Sequence, residues 1–62
     1  MPTIFVEGPP IQDIERKRRL VKGLYDTATE VYRIKHVTVI IRENGPENVG
    51  VAGQLLADRR QE

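Results

Sequence analysis

Along this 62-residue chain the spacing of apolar positions changes several times, and each rhythm implies an element. Thr3 to Glu7 is rich in β-branched and aromatic residues and runs into Gly8-Pro9-Pro10. That pattern predicts a short strand closed by chain breakers. From Ile11 to Arg33 the period lengthens to that of a helix. Ile14, Val21, Tyr25, Ala28 and Tyr32 share one stripe, with Leu24 and Val31 on its flank. Asp13 is the expected N-cap, because its carboxylate can accept from free amides of the first turn. Glu15 is placed to pair with Arg19 one turn on. Gly23 costs a helix interior about 1 kcal/mol against alanine, which implies close packing at that point.

Val37 to Arg42 carries the strongest β signal, with Val37, Val39 and Ile41 on one face. Thr38, Ile40 and Arg42 take the other. Glu43 to Asn48 is rich in turn formers. Val49 to Gly53 suits a small ribbon or hairpin, and Gln54 to Glu62 reads as a polar tail anchored by Leu55 and Leu56. The expected fold is α/β: one domain over residues 1–62, a βαβ unit with a short C-terminal hairpin. Its two strands should be parallel, joined by a right-handed crossover. One helix covers one face of such a sheet, yet parallel sheets persist only when both faces are covered. Other copies of the chain are therefore expected to complete the sheet.

Composition narrows the function classes. Cysteine is absent and His36 is the sole histidine, which leaves no disulfide, no thiol nucleophile and no multi-histidine metal site. Ten basic residues against nine acidic ones leave a formal charge of +1. So even a balance argues against nucleic acid or an acidic membrane surface as partner. No apolar run approaches the ~20 residues that span a bilayer. The opening residues have no signal-peptide pattern, so a soluble, cytoplasmic protein is expected.

Pro2 carries the sharpest chemistry. Removal of an initiator Met before a small residue would leave it with a free secondary amine. An α-amino group titrates near about 7.7–8.0. Desolvation or neighbouring cations would lower that value and leave a neutral general base at physiological pH.

The Met-Pro start, short strand, long amphipathic helix, Val37-Thr38-Val39-Ile40-Ile41-Arg42-Glu43 and Asn48-Val49-Gly50-Val51-Ala52-Gly53 together resemble the 4-oxalocrotonate tautomerase family. The resemblance implies an isomerase assembled as a hexamer, a trimer of dimers, working without cofactor or metal. In such enzymes the N-terminal proline shuttles a proton between carbon and oxygen of an enol or dienol acid, 2-hydroxymuconate for instance. By position Pro2 would be that base. The arginine expected near the helix start falls on Gln12 by direct counting and on Pro9 if the Glu7-Gly8 pair is matched instead. The arginine expected on the second strand falls on Thr38, and the aromatic wall of the hairpin on Val49. The usual dicarboxylate clamp is thus missing. Arg42 shares the Thr38 face but lies roughly 13 Å along the strand. The alternatives are a related hydratase or dehalogenase, or an oligomeric protein of the same fold that has lost its chemistry.

The remaining features read as structure. Four consecutive basic residues, Arg16 to Arg19, wrap around a helix rather than forming one face, and no aromatics interleave for base stacking. In an assembly one of these arginines is free to enter a neighbour's site. Gly50 and Gly53 match no phosphate-binding loop and suit a tight hairpin instead. Tyr25 and Tyr32 are expected to pack in the core or an interface, and His36 to lie in a loop.

Overall fold

The structure, a computed structural model, describes residues 1–59. Strand β1 (Thr3–Gly8) pairs in parallel with β2 (Thr38–Glu43), from Thr3 opposite Thr38 to Gly8 opposite Glu43. Helix α1 (Ile14–Tyr32) joins them. Two short strands, β3 (Gly50–Val51) and β4 (Gln54–Leu55), form a separate antiparallel hairpin. Single 3-10 turns at Pro46–Asn48 and Leu56–Asp58 flank it. The βαβ unit with its C-terminal hairpin is the expected architecture.

Alternation fixes which strand face meets the helix. Ile4, Val6, Val39 and Ile41 are half-buried, and Leu20, Val21, Leu24 and Ala28 supply the facing stripe. Ala28, 8% exposed, is the one buried side chain among the described residues. The opposite face is open: Phe5 remains 51% and Ile40 38% exposed. Arg42 lays its guanidinium 4.6 Å above the Phe5 ring there. The Cα radius of gyration is 15.1 Å, where a compact chain of this length would have about 11 Å. The lone chain is a lid over half a sheet.

The helix stripe differs from the expected one. Leu20 belongs to it, whereas Ile14, Val31 and Tyr32 are exposed. The cause is length. Nineteen helical residues span about 28 Å against about 20 Å for a six-residue strand, so both helix ends overhang the sheet. Asp13 caps as expected, its carboxylate accepting from the Glu15 N–H at 2.9 Å. The helix starts after this cap rather than at Ile11. Glu15 pairs with Arg18, not Arg19. Gly23 has open space where a Cβ would stand, so no close packing within the chain explains it.

The hairpin runs further than expected, because Gln54 and Leu55 pair with Val51 and Gly50 instead of starting the tail. Ala52 (φ 55°) and Gly53 (φ 82°) both occupy the left-handed region. Two such residues make the tight turn whose twist matches antiparallel strands. Gly53 meets that demand; Gly50 is an ordinary strand residue. The end of the expected tail, residues 60–62, lies outside the described residues.

Candidate active site

Two parallel strands linked by one helix have distinct ends, and the expected site residues divide between them. At the starting end, Pro2 sits half-buried just ahead of β1. Its carbonyl accepts from the Thr38 N–H at 3.0 Å, which continues the ladder by one bond. Pro2 and Thr38 are thereby neighbours. Met1 is 85% exposed. While it remains attached, the Pro2 nitrogen is a tertiary amide without basicity; once it is removed, a secondary amine stands at the mouth of the sheet.

Gln12, Arg42 and Val49 gather at the other end. β1 carries the chain about 20 Å from Pro2 before it turns. Gln12 lies exposed in the following loop, between Ile11 and the Asp13 cap. The Ile11 N–H donates to the Glu43 carboxylate at 3.0 Å, and Lys17 Nζ meets the same oxygen at 2.8 Å. These two donors hold the Glu43 carboxyl below its usual range, the Lys17 hydrogen bond most strongly. Arg42 faces Glu7 at 3.7 Å and the Phe5 ring, so its charge is already engaged within the chain. Val49 accepts from the Leu56 N–H at 2.9 Å and helps wall a groove of about 320 Å³ with Gly8, Pro9, Asn44 and Leu56.

Within one chain, then, the candidate base has Thr38 beside it, while Gln12, Arg42 and Val49 are a strand's length away. A second groove, about 490 Å³, lies between α1 and the start of β2, lined by Ile14, Val21, Tyr25, Val37 and Val39. It is largely apolar, with Lys17, Arg18 and Lys22 also lining it. Among the described residues no cluster of three His, Asp or Glu side chains is placed to hold a metal ion. No helix among them is long and apolar enough to cross a membrane. The basic run at the helix start is partly neutralised, Lys17 by Glu43 and Arg18 by Glu15. Sequence reading missed Glu43 as the organiser of the far end. No local signal marks it, because its donors lie 26 and 32 residues earlier.

Comparison with known proteins bears on the whole arrangement. The family model described as "Tautomerase enzyme" matches residues 2–59. The crystal structure of DmpI from Archaeoglobus fulgidus is 41% identical over 92% of this chain and 100% of that one, with a TM-score of 0.80. A 4-oxalocrotonate tautomerase homologue, TTHB242, is 25% identical over 98% of this chain and 100% of its own, with a TM-score of 0.83. A heterohexamer 4-oxalocrotonate tautomerase from Chloroflexus aurantiacus shares the fold at 24% identity, covering 97% and 100% of the two chains with a TM-score of 0.81. No curated protein sequence matches. Matched along nearly its whole length, the chain belongs to the tautomerase family and is similar to the 4-oxalocrotonate tautomerases its sequence resembles.

Proposed function

We propose that this chain is a keto–enol tautomerase that uses Pro2, freed of Met1, as its general base. The substrate is a 2-hydroxy-dienoate or related enol acid such as 2-hydroxymuconate, and the product is its 2-oxo tautomer. The neutral amine takes the enol hydroxyl proton, and the oxygen's electron pair becomes the new C=O bond. The displaced π electrons collect on a carbon of the conjugated chain. The resulting Pro2 ammonium returns the proton to that carbon, so the reaction is a net isomerisation. No metal or cofactor enters this scheme.

One observation carries the reading: Pro2 is anchored through its carbonyl beside Thr38 at the open end of the sheet, with Met1 projecting into solvent. Pro2 is half-buried at that position. Partial desolvation favours the neutral form of an amine, which a base needs near pH 7.

The working form is proposed to be a homo-oligomer, a hexamer built as a trimer of dimers. Phe5 and Ile40 on the open sheet face, and Val51 and Leu55 on the hairpin, need cover that the chain itself does not supply. Gln12, Arg42 and Val49 would meet a Pro2 only if it belongs to a neighbouring copy. Intact mass spectrometry should show the loss of one methionine. Light scattering should give about six chains. Ketonisation of 2-hydroxymuconate or phenylenolpyruvate, followed by absorbance, should depend on Pro2; equal rates for Pro2→Ala would remove the enzyme reading.

A further inference from the structure

The strand start where Pro2 sits also carries unpaired positive charge. Because β1 and β2 run the same way, α1 must return along them, which brings its C-terminus and the following loop to the Pro2 end. That loop reads Arg33-Ile34-Lys35-His36, and no acid occurs between Glu30 and Glu43. Among the described residues, the side chains of Arg33, Lys35 and His36 make neither ion pair nor hydrogen bond. Lys17, Arg18, Lys22 and Arg42 each face a carboxylate, whereas Arg16 and Arg19, in the first two turns of α1 at the far end, are likewise without an ion pair among the described residues. The nearest acid in sequence is Glu30, one turn back on the helix.

Proximity follows from chain reach. Thr38 bonds to Pro2, and at no more than about 3.6 Å per residue His36 lies within ~7 Å of Thr38 and Lys35 within ~11 Å. The loop is also held in place. Arg33 ends the helix in the left-handed conformation (φ 60°), with its N–H donating to the Thr29 carbonyl at 2.7 Å. Tyr25 donates its hydroxyl to the Lys35 carbonyl at 3.1 Å. The carbonyl end of a helix carries partial negative charge that would repel an anion; Arg33 at the cap offsets it.

We infer that Lys35 and His36 form the carboxylate-binding element of the Pro2 site, holding the acid group of an enol or 2-oxo acid beside the amine. The inference rests on the tautomerase reading and extends it. An ammonium and an imidazole N–H give charge-assisted or neutral hydrogen bonds to a carboxylate, which the Thr38 hydroxyl alone cannot neutralise. The element binds substrate; it does not move the proton.

The test compares Lys35→Gln, His36→Gln, the double variant and Lys35→Arg in phenylenolpyruvate ketonisation. Losing one charged hydrogen bond to an exposed anion corresponds to roughly a tenfold rise in KM. The expected result is a raised KM for each Gln variant, a larger rise for the pair, kcat nearly unchanged and recovery with Lys35→Arg. All substituted side chains are exposed, so circular dichroism should show the fold intact. A second measurement separates this inference from the function itself: NMR titration with cinnamate, a planar carboxylate that does not tautomerise. Shifts at the His36 and Thr38 amides, lost in the double variant, support the binding element even if Pro2→Ala leaves ketonisation untouched and the base assignment falls. An unchanged KM in the double variant, with ketonisation abolished by Pro2→Ala, overturns the inference and leaves the base standing.

Discussion

The two ends of the parallel sheet are built for different purposes. At the finishing end the Glu43 carboxylate gathers the Ile11 amide and Lys17, the Asn44 N–H reaches the Gly8 carbonyl at 2.8 Å, and Asp13 caps the helix. At the starting end the backbone link is the single bond from Thr38 to Pro2, with Tyr25 steadying the loop. One end spends a carboxylate and a lysine on holding the chain together, though Arg16 and Arg19 there stay unpaired among the described residues. The other leaves Pro2 beside two unpaired cations, Arg33 and Lys35. Unmatched polar groups at an ordered strand start are where chemistry should be sought.

That contrast can be broken by substitution at each end. Pro2→Ala should lower kcat by about 10²–10⁴-fold, the usual contribution of a positioned general base, while thermal unfolding stays close to that of the unaltered chain. Asp13→Ala should do the reverse. Loss of an N-cap costs about 1 kcal/mol, a drop of roughly 4–8 °C in Tm for a domain of this size, with the proline chemistry retained.

Glu43→Gln sharpens the comparison through pH. Its carboxyl is held below the usual 4.5 by Lys17 and the Ile11 amide. A carboxylate with a lowered folded pKa adds stability that is fully present above the unfolded pKa. That stability is lost as pH falls through the folded value. The Tm difference between the unaltered chain and Glu43→Gln should therefore be constant near neutrality and close progressively below about pH 4.5. A gap that persists in acid would mean Glu43 acts by packing and not by charge. The smallest effect is expected at Arg42→Ala, under about 1 kcal/mol, because its pair with Glu7 is exposed and long. Urea unfolding would measure it.

Much of the fold could be read from the residues, for a local reason. The all-apolar row Val37, Val39 and Ile41, against Thr38, Ile40 and Arg42, marked the covered strand face, and a single carboxylate at Asp13 marked the helix cap. Errors arose where distant parts of the chain decide. Ile14 and Tyr32 fit the helical stripe but lie outside it, because short strands cannot reach under a longer helix. Ile11 to Asp13 leave the helix, with the Ile11 amide turned to Glu43. Leu55 looked like a tail anchor, yet its partner Gly50 makes it a strand. For the site, Pro2 and Thr38 come together through strand register, which sequence spacing alone does not reveal. Gln12, Arg42 and Val49 are separated from them by the direction of β1.

Ala28 has a consequence for handling the protein in solution. With so little apolar surface withdrawn from water in one chain, resistance to heat must come from contacts between molecules, and mass action then governs it. The midpoint of thermal unfolding should climb with protein concentration and sink on dilution. Rates measured at nanomolar enzyme would then fall below those extrapolated from concentrated stocks. Melting curves recorded over a thousandfold dilution series test this; superimposable curves would point to a chain that holds its shape by itself.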